Sequence, residues 1–161
     1  MSKRIPLERF PELRRLVRWD DDHGFCYRGK LVPKAKMLGG RHKAIIEYKG
    51  VKLVLKEDGT HGNGRHEHHD WQKWREIQAQ DRKFFLPIVC HGEGWVAQEF
   101  AATITPVWLK HEKKHASVIG RLIETYKLGD VILHQRMGTA LQRNWGLIDG
   151  RPMIFDFGFV E

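Results

Sequence analysis

Arg143-Asn144-Trp145-Gly146-Leu147-Ile148-Asp149-Gly150-Arg151-Pro152-Met153-Ile154-Phe155-Asp156-Phe157-Gly158-Phe159 reads as two short apolar strands joined at Asp149-Gly150. A two-residue hairpin loop needs positive φ, and Asp-Gly tolerates it. Asn144 enters the hairpin and Asp156 leaves it. A rigid hairpin that brings an amide and a carboxylate close together offers the oxygen ligands that hard divalent cations take.

Working outward, residues 106 to 128 carry the longest helical pattern, with Val118, Ile119, Leu122, Ile123 and Tyr126 on the face to be buried and Lys110, Lys113 and Lys114 outside it. Gly129 is placed to stop this helix. Before it, Leu86-Pro87-Ile88-Val89-Cys90-His91 and Trp95-Val96-Ala97-Gln98-Glu99-Phe100 read as strands around a Gly92-Glu93-Gly94 turn. Ala44 to Tyr48 and Val51 to Lys56 form another strand pair around Lys49-Gly50, with Gly39-Gly40 at its entrance. Counting the strand at that entrance, the first sheet is expected to hold about five antiparallel strands.

His61, His66, His68 and His69 fall close together ahead of a helical run that ends near Gln80. Zinc-protease histidines stand at i and i+4 around a glutamate, whereas the residue four after His66 is Asp70 and the one four after His61 is Arg65, so the zinc spacing is missing. On this helix Glu67, Trp71, Trp74 and Gln78 share one face, and the tryptophans mark it as buried. At the N-terminal end, Leu7, Phe10, Leu13, Leu16 and Val17 have helical spacing, with Arg14, Arg15 and Arg18 on other faces. The pattern predicts a basic amphipathic helix over residues 5 to 19, followed by a turn at Trp19-Asp20-Asp21-Asp22-His23-Gly24.

The order Asn144, strand, turn, strand, Asp156-Phe157-Gly158 resembles the metal-binding hairpin of the protein-kinase-like superfamily. The resemblance runs from about Met37 to the end of the chain. It implies an α+β fold with a kinase-like N-lobe, one five-stranded antiparallel sheet with a helix over residues 37–105. A much reduced C-lobe of long helix and hairpin would follow over 106–161, with the basic helix and connector of 1–36 in front. It also implies ATP and magnesium as ligands. Gly39 and Gly40 would stand at the phosphates and Lys56, at a strand end, would steady them; Glu67 is the chosen partner of Lys56, with Glu76 as the alternative. Backbone groups near Glu99, Phe100 and Ala101 would meet adenine, and Asn144 and Asp156 would hold the metal.

Five positions before Asn144, where kinases place the catalytic aspartate, stands Thr139, which cannot act as a base at neutral pH. Tyr126-Lys127-Leu128-Gly129-Asp130-Val131 resembles the run entering the catalytic loop in small bacterial and phage kinase-like proteins. Asp130 then takes the catalytic position, at the head of a loop about nine residues longer than usual. Arg136 and Arg143 in or beside that loop are candidate phosphate donors. Little sequence follows Gly158, so the resemblance implies no protein-substrate platform of the ordinary kind, and a partner's surface or a homodimer is the expected substitute.

Composition agrees with a single domain or two small lobes: 161 residues, 41% apolar. No apolar run approaches the roughly 20 residues that span a bilayer, and Met-Ser-Lys-Arg-Ile-Pro lacks a signal-peptide core, so no membrane partner and a cytoplasmic location are expected. Cys26 and Cys90 are far apart, without paired spacing, and are expected to be reduced. Lys and Arg outnumber Asp and Glu by 28 to 20, a net charge of +8 that favours nucleotides, nucleic acid or acidic protein surfaces. Two functions follow: an ATP- and metal-binding phosphotransferase acting on a protein substrate, or a pseudokinase scaffold that captures a protein or nucleic acid through its basic surface.

Overall fold

Leu53, Val54, Leu55 and Lys56 are buried in succession along β5 (Val51–Glu57), so this strand is covered on both faces. With β4 (Lys43–Tyr48), β6 (Ile88–Gly92) and β7 (Trp95–Glu99) it forms a four-stranded antiparallel sheet in the order β4-β5-β7-β6. The computed structural model describes residues 6–20, 22–35, 43–57, 68–100, 109–128 and 145–155; the side chains of 109–114 are left aside. Among them the sheet has four strands where the sequence pattern predicts five. Ala35 donates its N–H to Lys43 O at 2.7 Å, so the chain ahead of β4 touches it through this hydrogen bond.

One face of the sheet is set by the register Ala44–Leu55–Ala97–Cys90 and Ile46–Leu53. These residues share a core with Phe10, Leu13, Val17 and Phe25 from the start of the chain. Here the structure corrects the predicted helix over 5 to 19. A single 3₁₀ turn spans Pro11–Arg15, and β1 (Val17–Asp20) begins two residues later. Phe10 and Leu13 are three apart, which suits one side of a 3₁₀ turn as well as an α-helix. The Phe10 N–H donates to Val89 O (2.9 Å), and the aromatic and β-branched run Val17-Arg18-Trp19 favours a strand. β1 pairs with β2 (Gly24–Tyr27), and β2 with β3 (Lys30–Leu31), in a separate three-stranded sheet. Its second turn, Arg28-Gly29, has φ of 52° and 78°.

Two compact units result: residues 1–72 with 87–100, and residues 73–86 with 101–161. The division falls within α1 (His69–Glu76). The sequence-based divisions are 1–36, 37–105 and 106–161. In the second unit, α2 (Leu109–Tyr126) buries Ile119, Leu122 and Tyr126. The hairpin of β8 (Trp145–Ile148) and β9 (Arg151–Ile154) turns at Asp149 and Gly150, with φ of 50° and 75°, as Asp-Gly predicts. Leu86 donates its N–H to Ile154 O at 2.7 Å, tying this hairpin to the 3₁₀ turn Arg82–Phe84 through the segment that follows it. No helix among the described residues is long and apolar enough to cross a membrane.

Asp81 organises the polar side of this unit. Its carboxylate accepts from Arg121 Nη2 (3.0 Å) and from the Tyr126 hydroxyl (2.6 Å), while the Tyr126 oxygen accepts the Gln78 N–H (3.1 Å). The Arg121 guanidinium, ahead of the tyrosine hydroxyl, holds the Asp81 carboxyl below its ordinary range, against the opposing effect of burial. Its contribution to stability is therefore present above the unfolded-state value and lost as pH falls below about 4. Tyr126→Phe should cost about 1–2 kcal/mol by urea unfolding at neutral pH. Asp81→Asn should remove the part of the acid-induced loss of stability that comes from this carboxyl.

Candidate active site

Alternation along β5 turns Lys56 to the face opposite the Leu53–Leu55 core. Register places Lys43, Lys56, Val96 and His91 in one row across β4, β5, β7 and β6. Two strand spacings, roughly 10 Å, separate the Lys56 and His91 backbones. The first turn of α1 meets both ends of that interval. Asp70 Oδ2 lies 2.6 Å from Lys56 Nζ, and the Trp71 indole stacks on the His91 ring, with centroids 3.9 Å apart and planes 9° from parallel. Consecutive helical residues point about 100° apart, so Asp70 and Trp71 reach the row on either side of Val96.

The Lys56–Asp70 pair is removed from water, with side chains 8% and 4% exposed. Such a pair is favourable only when its geometry is tight, because each charge alone costs several kcal/mol to bury. Further contacts hold the partners in place. His68, just before α1, accepts the Asp70 N–H on its ring Nδ1 (3.0 Å). Glu8 Oε2 accepts the His91 N–H (3.1 Å) and lies 3.0 Å from His91 Nδ1. Arg14 closes this group, with Nη2 2.5 Å from Glu8 Oε2 and Nε donating to His91 O at 2.7 Å.

Among the described residues the acid beside Lys56 is Asp70; the sequence reading chose Glu67. Glu67 lies outside the described residues. The alternative, Glu76, is 61% exposed and sits 3.7 Å from Lys73 Nζ. Trp71 and Trp74 are buried as their spacing predicts, but Gln78 is exposed and lies beyond the helix end. Asp70, Trp74 and Ile77 follow the i, i+4, i+7 spacing of a single buried face. That pattern was the available signal for Asp70, and the face drawn through Glu67, Trp71, Trp74 and Gln78 leaves it out.

Glu99, expected near adenine, ends β7. Its N–H donates to Pro87 O (3.0 Å) and its carboxylate lies 3.3 Å from Arg9 Nη1. The Phe100 N–H donates to Lys52 O (3.0 Å). These two N–H groups are therefore engaged within the first unit, and Ala101 lies outside the described residues. Gly39, Gly40, Asp130, Asn144 and Asp156 also lie outside them; the strands that Asn144 and Asp156 flank are in place, with Trp145 opposite Ile154.

No three His, Cys, Asp or Glu among the described residues converge on a metal position. Both cysteines are free thiols, and burial pushes the Cys90 thiol up to about 12, which removes it as a nucleophile at neutral pH. Compared with known proteins, the chain matches no family model, no curated protein and no solved structure.

Removing one member of a tight buried ion pair is strongly destabilising, so Asp70→Ala should cost about 3–5 kcal/mol. The double variant Lys56→Met with Asp70→Leu should recover most of that loss in the same urea titration. Equal losses in the single and double variants would mean that the pair is not buried as described.

Proposed function

We propose that this chain binds ATP with a divalent cation as a minimal kinase-like domain, and that it transfers phosphate to a Ser, Thr or Tyr hydroxyl of a protein. The observation that carries this reading is the buried Lys56–Asp70 pair, at the end of a central strand and beside the start of a helix. An acid on a helix that holds a strand lysine at a fixed position is the arrangement phosphoryl-transfer proteins use to steady nucleotide phosphates. Asp70 is one methylene shorter than the glutamate usual in that role. The strand order β4-β5-β7-β6, with the lysine on β5, and the Asp149-Gly150 hairpin between Asn144 and Asp156 add support.

In this reading Lys56 contacts phosphate oxygens while Asp70 fixes its ammonium. Gly39 and Gly40 offer backbone N–H groups to the phosphates, and Asn144 and Asp156 share magnesium through oxygen ligands. Magnesium, when bound, neutralises charge on the β and γ oxygens. Asp130 accepts the hydroxyl proton of the protein substrate.

A second reading, a scaffold that binds a protein or nucleic acid without catalysis, draws on a different observation. Arg15, Arg18, Lys30 and Lys34 are exposed in and around the three-stranded sheet, with no carboxylate partner among the described residues.

Thermal unfolding with and without ATP plus magnesium separates the two. Binding to the folded state alone raises stability by about 2.7 kcal/mol at a hundredfold excess over the dissociation constant. The expected result is a magnesium-dependent rise in Tm that is lost in Asp156→Asn and in Lys56→Arg. Absence of any rise in the wild type rejects nucleotide binding and leaves the scaffold.

A further inference from the structure

His68 is a buried histidine, 4% exposed, and it occupies the N-cap position of α1. Its ring Nδ1 accepts the N–H of Asp70, the second residue of the helix, at 3.0 Å. A side-chain acceptor on that N–H is the usual N-cap interaction, made mostly by Ser, Thr, Asp or Asn. An imidazole can make it only with a lone pair on Nδ1, so the neutral ring here is the tautomer with hydrogen on Nε2. The capped N–H belongs to the same residue whose carboxylate holds Lys56.

We infer that His68 is a positioning residue: its neutral ring fixes the backbone of Asp70 and so sets the carboxylate on Lys56, and its protonation releases that grip. The consequence for nucleotide rests on the reading above, but the grip on Asp70 does not. A proton on Nδ1 turns the acceptor into a donor that faces the Asp70 N–H, and it adds positive charge at the positive end of a helix. The protonated ring has another place to donate, because Asp70 Oδ1 lies 4.0 Å from Nδ1. The Asp70 carboxylate, from α1, faces the ring and is shared with the Lys56 ammonium, from β5. Rotation toward Oδ1 sets imidazolium and ammonium in competition for one carboxylate. Histidine is the side chain whose unperturbed charge change falls nearest physiological pH, so it makes this cap responsive to protons where serine or asparagine would not.

The test uses the full chain labelled with ¹⁵N, read by NMR between about pH 8 and about pH 5. The free protein should show His68 as the tautomer with hydrogen on Nε2. The Asp70 amide and the Lys56 side-chain resonances should move with the same midpoint as the His68 ring. In His68→Asn, which keeps a cap acceptor without a titrating group, both should stay at their wild-type high-pH positions throughout. His68→Leu should show the uncapped Asp70 amide at every pH. A ring protonated on Nδ1 in the neutral form, or an Asp70 amide that ignores the His68 titration, overturns the proposal even if no variant can be prepared. Binding of Mg·ATP is then followed on the same samples. It should weaken about fivefold as His68 is protonated in the wild type, the equivalent of a lost cap, and stay constant in His68→Asn over that range. Coupled NMR titrations without any ATP binding reject the nucleotide reading and leave the positioning role standing.

Discussion

An ammonium on the inner face of a sheet needs a carboxylate beside it. Lys56 is on β5, between Lys43 on β4 and Val96 on β7, with its side chain out of water. The cost of that position, several kcal/mol for an unpaired charge, constrains what lies over the sheet. The helix that follows must place an acid over Lys56, and its first turn does so with Asp70. A hydrophobic helix of the same length would lack the carboxylate that Asp70 places 2.6 Å from the lysine.

The same constraint explains contacts that otherwise look unrelated. Trp71 follows Asp70 directly and stacks on His91, so one turn of helix is held by a charge and by an aromatic face. His91 is itself fixed by Glu8 and Arg14, from a segment that also supplies Phe10 and Leu13 to the opposite core. The N-terminal stretch is therefore structural on one side of the sheet and reaches the rim of the candidate site on the other. Gly92 belongs to this arrangement: a Cβ there would come within 2.2 Å of the Trp95 indole, so close packing of that ring on the backbone requires glycine. The result is a sheet with an apolar face and a face organised by charge.

Much of this was legible in the chain. The turn Asp149-Gly150 was readable because few residue pairs accept positive φ at both positions, and Lys49-Gly50 because apolar strands of several residues flank its glycine. Lys56 stood out as a charged end to an apolar run. The N-terminal helix failed because Phe10 and Leu13 satisfy an i, i+3 rule that a 3₁₀ turn shares, while the change to alternation at Val17 is carried by only four strand residues. The hairpin at Arg28-Gly29 was missed because the strand after it, Lys30–Leu31, is too short to show alternation. Asp70 was missed for a different reason: the face drawn through Glu67, Trp71, Trp74 and Gln78 leaves it out, while the buried residues run through Asp70, Trp74 and Ile77. A carboxylate in phase with Trp74 and Ile77 is better read as waiting for a cation, and Lys56 was the cation.

The central claim is that Lys56, held by Asp70, lies against nucleotide phosphate. An acyl-phosphate derivative of ATP carries its electrophile at the phosphate end and acylates only a lysine close to it, so peptide mapping by mass spectrometry after brief exposure reads that contact directly. The account predicts selective acylation of Lys56 in the folded chain, suppressed by excess Mg·ATP and absent in Asp70→Asn. Acylation spread evenly over the exposed lysines, with Lys56 unlabelled and no protection by Mg·ATP, would contradict it.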